Sequence, residues 1–215
     1  MKNIAIIPAR GGSVGIPDKN IVNLNGKPLI YYTLKACHNT AEIDHVVVTT
    51  DSNKIASIVS KLFPKTIVVK RPASLADNIS TSEEALLHCI KEIDKKINNV
   101  ENVIFVQATS PLTDSADLSK LIETLCNHDS AAFYIDDYGF FFDFHDMTLP
   151  RIPRQGREPL KRECGNAWAF NKDGFLVSKS RLFGRIDLCK IEHPKEVEID
   201  EPEDLISISC LMKRT

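Results

Sequence analysis

A chain of 215 residues exceeds the usual length of one compact domain, about 100–150 residues, without leaving comfortable room for two, so one domain with an elaboration is expected. With 43% hydrophobic, 26% charged and 7% aromatic residues, the composition is that of an ordinary globular protein and too apolar for a disordered chain. Lys and Arg number 27 against 29 Asp and Glu, a formal charge of -2, which argues against a nucleic-acid or anionic-membrane surface and points to small-molecule partners.

Six cysteines, at positions 37, 89, 126, 164, 189 and 210, stand too far apart for any CxxC metal or redox motif and read as reduced, mostly buried thiols. The apolar run near the N-terminus stops at Pro8 and Arg10, short of the ~7–15 residue hydrophobic region of a secretion signal. No stretch approaches the ~20 apolar residues of a membrane span, so a cytoplasmic location is expected.

In chain order, IAII at 4–7 reads as a first strand, and Ile30, Leu34 and Cys37 share one helical face. VVV at 46–48 is a second strand, followed by a helical stripe of Ile55, Ile58, Val59 and Leu62. IVV at 67–69 precedes Leu86, Ile90, Ile93 and Ile97, which fall at i, i+4, i+7 and i+11. VIFV at 103–106 leads into a stripe of Leu118, Leu121, Ile122 and Leu125, and AAFYI at 131–135 is the next strand. Strands apolar on both alternating faces belong to a parallel sheet covered by helices. The alternation therefore predicts an α/β fold with right-handed crossovers.

The rhythm breaks after Ile135. Residues 136–162 combine five aromatics (Tyr138, Phe140, Phe141, Phe142, Phe144) with three prolines and five basic residues, and no helical period fits. This segment reads as an arm or lid, set at 136–165, whose aromatics either plug the edge of the core or meet a substrate or second subunit. Beyond it, AWAF at 167–170, LCKI at 188–191 and VEID at 197–200 read as strands. A last helix starts at Pro202, which suits a first turn, with Glu201, Glu203 and Asp204 favouring the N-terminal dipole.

The chemistry concentrates in IPARGGSVGIPDKN at 7–20, directly after the first strand. Gly11, Gly12 and Gly15 let backbone N–H groups approach a nucleotide, but the spacing matches neither GxGxxG nor the P-loop. Arg10 and Lys19 are cations able to bracket phosphates, the alternative being a turn with a solvated charge pair.

That motif, TTD at 49–51, KRP at 70–72, QATSPL at 107–112, PRQ at 153–155, RECGNAWAF at 162–170 and EIDEPEDL at 198–205 together resemble the ordered motifs of the acylneuraminate cytidylyltransferases, the CMP-sialic acid synthetase type enzymes. The resemblance implies a Rossmann-like, doubly wound, mostly parallel sheet of the nucleotide-diphospho-sugar transferase kind, with an inserted arm that serves dimerisation. It also implies attack of a sugar-acid hydroxyl on the α-phosphorus of CTP, release of pyrophosphate, Mg2+ as the metal, and a homodimer.

Carried over by position, the resemblance places Arg10, Gly11, Gly12, Asn20, Arg71, Ser80 and Gln107 at the nucleotide and makes Arg10, Lys19 and Arg154 the catalytic cations. A Gln side chain offers one acceptor and two donors, which suits a cytosine edge. Ser80 also suits a helix cap before Glu83 and Glu84. Arg154 on a basic arm could neutralise charge on the transferring phosphoryl group or be a solvated arm charge. Gln155 and Arg162 fall to the acceptor acid. Glu198 and Asp200 fall where the family carries Asp-x-Asp, and an i, i+2 pair on a strand projects to one side, able to hold Mg2+. Asp51 is a weaker metal candidate.

Four departures stand out: Val14 replaces a family lysine, Glu198 an aspartate and Cys164 an asparagine, while Gly139-Phe140-Phe141-Phe142 occupies the place of an HHP-type segment. The leading expectation is thus CMP transfer from CTP to an acidic sugar of the sialic or nonulosonic type. Its rivals are CMP transfer to another ketosugar acid or a phosphonate, and a nucleotide-binding homologue without catalysis.

Overall fold

The computed structural model describes residues 2–13, 15–77, 79–141 and 152–213. Strands β1 (Lys2–Pro8), β4 (His45–Thr50), β5 (Ile67–Lys70), β6 (Val100–Val106), β7 (Ser130–Asp137), β8 (Leu160–Asn171) and β9 (Ile186–Lys190) form one seven-stranded sheet in the order β5-β4-β1-β6-β8-β7-β9. Strand β8 runs antiparallel to β6 and β7, and the β1–β4, β1–β6, β4–β5 and β7–β9 pairs are parallel. The expected α/β class with a mostly parallel sheet is therefore present. A two-residue ribbon, β2 (Asn23–Leu24) with β3 (Lys27–Pro28), closes the loop that follows β1.

The alternation of β1 decides the layers. Ala5 and Ile7 join a cluster with residues of α1 (Ile30–Asn39), α2 (Asn53–Leu62) and α4 (Ser115–Glu123). Ile4 and Ile6 point the other way, into a cluster with α3 (Ser82–Asp94) and Phe175 of α5 (Lys172–Ser178). A strand lined with apolar residues on both sides needs cover on both, and helices on the two faces supply it. A third, smaller cluster seats Leu24, Leu29 and Ile199 under Ile208 of α6 (Pro202–Leu211).

Two elements differ from the sequence expectation. VEID at 197–200 joins no ladder; it is an extended run tied by backbone bonds from Val197 N–H to the Pro194 carbonyl at 3.1 Å and from Ile199 N–H to the Thr109 carbonyl at 2.9 Å. Its period-two pattern survives because Ile199 is buried and Val197 packs on the same cluster, leaving the carboxylates on the other side. The LCKI strand begins earlier, at Ile186, and ends at Lys190.

A register break in the β7–β8 ladder shapes the site. Ala132 pairs with Trp168, but Phe133 pairs with Cys164, so Gly165, Asn166 and Ala167 bulge away from β7. Bulges of this kind re-aim side chains at the rims of sheets. Of the expected arm at 136–165, the two ends extend the β7–β8 pair, with Asp137 opposite Leu160, and Arg154–Gly156 form a single 3-10 turn. Phe142 and Phe144, like Val14, lie outside the described residues.

Helix α3 is capped by Thr81, whose hydroxyl accepts from Glu84 N–H at 3.2 Å while the Glu84 carboxylate accepts from Thr81 N–H at 2.8 Å. The cap is thus Thr81 and not Ser80, because only Thr81 stands three residues before a glutamate able to reach back. Replacing Thr81 by alanine should cost about 1 kcal/mol. At this chain length that lowers the melting temperature by about 2–4 °C, measured by thermal unfolding.

Candidate active site

The carboxyl ends of β1, β5 and β6 open onto a cleft of about 400 Å³ lined by residues that include Arg10, Lys19, Asn20, Arg71, Ser80, Gln107, Glu198 and Asp200. It sits where the strand order reverses about β1 and β6, the place where open α/β sheets bind ligands. All three catalytic or nucleotide cations expected before residue 100 line this cleft, as do Ser80 and Gln107. Gly11 lies in the adjoining loop, with its N–H donated to Asp51 Oδ1 at 2.9 Å. Asp51 thereby braces the loop and does not line the cleft with Glu198 and Asp200, which removes the reason to rank it as a metal ligand. A Cβ on Gly12 would meet nothing within 4 Å, so its backbone is open to a close ligand.

Each cation is held by the fold. Arg10 Nη1 donates to the Asp77 carbonyl at 2.9 Å, and Asn20 Nδ2 donates to the Arg10 carbonyl at 2.9 Å. Arg71 is 6% exposed and donates through Nη2 to the Thr49 carbonyl at 2.8 Å; burial pulls its pKa down, partly opposed by the nearby Asp51 charge. Ser80 sits in a turn built on Asp77, whose Oδ1 accepts from Ser80 Oγ and Ser80 N–H, each at 2.7 Å. Hydrogen bonds from Ser80 and Ile79 hold the Asp77 carboxyl below its ordinary value. Gln107 spends its backbone N–H on Asn166 and its carbonyl on Thr33, which leaves the side-chain amide for the cleft.

The opposite wall carries the carboxylates. Lys19 Nζ pairs with Asp200 Oδ1 at 2.8 Å, and Glu198 Oε1 accepts from Ser110 Oγ at 3.2 Å. Burial raises the Glu198 pKa, and the Asp200 charge beside it adds to the rise. Glu198 fits because β8 has a glycine there: a Cβ on Gly165 would stand 2.5 Å from Glu198 Oε1. The segment is anchored upstream by Lys195, whose Nζ reaches Asp114 Oδ2 at 2.7 Å and Asp117 Oδ2 at 2.7 Å. Buried Asn166 adds two bonds, from Nδ2 to the Lys195 carbonyl at 2.7 Å and to Thr113 Oγ1 at 3.0 Å. Downstream, Asp204 accepts the N–H groups of Asp200 and Glu201.

Among the described residues no group of three or more His, Cys, Asp or Glu is placed to hold a metal unaided. Glu198 and Asp200 nevertheless suit Mg2+, which takes oxygen ligands and usually completes its shell with waters and substrate phosphates. Burial and, after it, the Asp200 charge raise the Glu198 pKa, and a divalent cation would relieve that second contribution.

Arg154 and Arg162 are not in this cleft. They line a second one of about 550 Å³, with Asp136, Asp137, Tyr138, Arg157, His193 and Glu196. The Arg154 guanidinium lies over the Tyr138 ring at 4.9 Å, and Arg162 Nε pairs with Asp137 Oδ2 at 3.1 Å. Gln155 is exposed on the Arg154–Gly156 turn. Cys164 of β8, whose thiol is pushed up to about 11 by burial, lies within electrostatic reach of Arg162 and Glu196 of the second cleft and of Glu198 of the first. Sequence reasoning missed Ser110, Gly165, Asn166, Lys195, Arg157 and Glu196. Ser110, Gly165, Asn166 and Lys195 act through partners far along the chain, and the Gly-Asn step inside RECGNAWAF was the one local sign of a bulge.

The Glu198 environment yields a stability test. Its folded pKa is raised above the unfolded value near 4.5, so the native state disfavours a charge that the unfolded chain accepts. That cost is present in full above the folded pKa and absent below 4.5. Glu198→Gln, in metal-free buffer, should therefore melt higher than the unsubstituted protein at pH 7, with the gap closing as pH falls toward 4.5. No gap at pH 7, or one of opposite sign, would show that the buried carboxylate is fully compensated, and a gap that persists at pH 4 would show that it does not arise from the Glu198 charge.

Residues 4–160 match the family model described as cytidylyltransferase, a span that takes in the cleft wall from Pro8 to Thr109 and ends before the carboxylates. An N-acylneuraminate cytidylyltransferase of Streptococcus agalactiae is 27% identical over 97% of this chain and 52% of its own length. A pseudaminic acid cytidylyltransferase of Campylobacter jejuni is 34% identical over 60% of this chain and 56% of its own. The chain thus spans about half the length of these curated relatives. A flagellin modification protein B of Campylobacter coli is 30% identical over 98% of this chain and 94% of its own. In structure, a CMP:2-keto-3-deoxy-manno-octonic acid synthetase complexed with CTP superposes with a TM-score of 0.73 at 18% identity, over 100% of this chain and 99% of that one. A 4-diphosphocytidyl-2C-methyl-D-erythritol synthase from Anaerococcus prevotii gives 0.71 at 16%, over 99% and 96%. The fold, the cleft at the reversal of strand order and the match over residues 4–160 agree, and the chain belongs to the cytidylyltransferase family.

Proposed function

We propose that the protein transfers CMP from CTP to a hydroxyl of an acidic sugar of the sialic or nonulosonic type and releases pyrophosphate. The observation that carries this reading is the division of charge in the first cleft, with Arg10, Lys19 and Arg71 set against Glu198 and Asp200. The names of the relatives, which act on acylneuraminate and pseudaminic acid, support the acceptor class.

In this reading the acceptor oxygen bonds to the α-phosphorus, the α–β phosphoanhydride bond breaks, pyrophosphate leaves and the hydroxyl proton passes to solvent. Arg10 and Lys19 bind the triphosphate, Asn20 and Arg71 hold its loop side, and the Gln107 amide reads the cytosine edge. Their positions are fixed before substrate arrives, so little reorganisation is needed as charge develops. Mg2+, held by Glu198 and Asp200, would supply charge neutralisation at the phosphates. Gln155 and Arg162 serve the acceptor from the second cleft or its rim, with Arg154 lining the same cleft. A purely nucleotide-binding homologue is the weaker reading, because such a protein has no use for a carboxylate pair braced by Lys195, Asn166 and Asp204.

Exposed Phe140, Phe141, Ile152 and Leu160 flank the second cleft and support the reading of a homodimer that buries them. Light scattering at micromolar concentration checks it, with a monomer mass at full activity as the refuting result. Pyrophosphate release tests the function directly. CTP with a nonulosonic acid should give turnover that ATP or GTP does not, and CTP should stabilise the protein most in thermal unfolding. Asp200→Ala should lose most of that activity, by about 100-fold or more, while keeping its melting temperature. Equal stabilisation by all nucleotides, or no product with any acid, would refute the reading.

A further inference from the structure

The second cleft holds two unsatisfied groups of opposite character. Glu196 has a side chain only 10% exposed; its Oε1 is bonded to His193 Nδ1 at 2.8 Å, and its Oε2 is buried without a partner among the described residues. Arg157 Nε and Nη1 are likewise buried without hydrogen-bond partners among the described residues, while the guanidinium carbon lies 3.9 Å from the Phe140 ring centre. The neighbouring acids are already occupied, Asp137 by Arg162 at 3.1 Å and Asp136 by Lys190 at 2.8 Å. Leaving such groups unmet costs more than an ordinary hydrogen bond gains, and native structures rarely leave them so without a reason.

We infer that Glu196 is a specificity-determining residue for the acceptor, its free Oε2 accepting from a hydroxyl or acylamino N–H of a sugar acid whose carboxylate Arg157 receives. Nε–H and the Nη1 hydrogens lie on different edges of the guanidinium, so Arg157 offers a carboxylate single donors and a full positive charge. Glu196 adds a condition that a bare anion cannot meet. Phosphate or pyrophosphate would satisfy Arg157 and leave the Glu196 oxygen both unpaired and repelled, whereas a polyhydroxylated or acylamino acid satisfies both. A site built to hydrogen-bond a substrate donor rejects analogues that lack it far more strongly than an apolar pocket rejects a missing methylene. The inference rests on the cytidylyltransferase reading and names the feature by which that activity would choose its acid.

The test is initial-rate kinetics of pyrophosphate release for the unsubstituted protein, Glu196→Ala and Glu196→Gln. Three acids serve as acceptors: N-acetylneuraminic acid, pseudaminic acid and 2-keto-3-deoxy-manno-octonic acid. Glu196→Ala should raise KM for the best acid by about tenfold or more, with KM for CTP changed less than twofold. Glu196→Gln places an amide donor where an acceptor oxygen stood and should reorder kcat/KM among the three acids. A merely structural role would move KM for CTP and for the acid together, and that result overturns the inference, as does an unchanged acid KM with an unchanged order. Should the alanine variant fail to fold, the near-isosteric glutamine variant decides alone. Turnover with unaltered acid preference removes Glu196 and leaves the function reading standing; no turnover of any acid by the unsubstituted protein removes both.

Discussion

Burial of β1 on both faces is the constraint from which the rest of the molecule follows. Ile4 and Ile6 fill one cluster, Ala5 and Ile7 the other, and all four are fully buried. Each isoleucine contributes about 1.5–3 kcal/mol, and a one-residue slip would exchange every side chain between layers of different shape. With β4 and β6 held parallel on either side, β1 must deliver Pro8 to the carboxyl edge of the sheet. Arg10 therefore begins at the same edge that presents Arg71 after β5 and Gln107 after β6, although the three residues are far apart in sequence. The cleft is a consequence of strand order before it is a consequence of side-chain chemistry.

Its other wall needs a different explanation, because residues 195–200 are in no ladder and receive no register from the sheet. Long-range bonds do that work instead: Lys195 to Asp114 and Asp117, Asn166 to the Lys195 carbonyl, and Ile199 to Thr109. These hold Glu198 in a position that it would not choose, half desolvated and beside another carboxylate. Stability given up at Glu198 is offset by burial of Ile199 against Ile208 of α6, so the site carries its crowded charge without loosening the segment that presents it.

The layers were legible in the sequence because doubly apolar strands and helical stripes are local signals. Val103 to Val106 and the Leu86–Ile90–Ile93 stripe are examples that the structure reproduces. VEID at 197–200 shows the limit: its alternation is real, yet alternation reports one buried side and says nothing about hydrogen-bonded neighbours. Ser80 and Thr81 show another, since both suit a cap and the choice depends on which hydroxyl meets Glu84 N–H. Most cleft residues were reachable through the family resemblance. Asn166, Lys195 and Glu196 were not, because an asparagine or lysine with distant partners has the same sequence appearance as a solvated one.

The two clefts share one segment. Along it, Val197 and Ile199 turn inward, while Glu196 lines the second cleft and Glu198 and Asp200 line the first. Gly165 and Cys164 stand between them on β8, and the absence of a side chain at Gly165 is what lets Glu198 pass close to that strand. A displacement of Glu198 must therefore pass to Glu196 through the one residue between them, Val197, whose side chain packs on the inner cluster. Since packed interiors respond to strain by small rigid shifts and not by local give, the segment acts as one body read from both sides. Groups that would meet the nucleotide and groups that would meet the acceptor are thereby held in a fixed mutual geometry by the burial of Val197 and Ile199, with no direct contact between the two sets required.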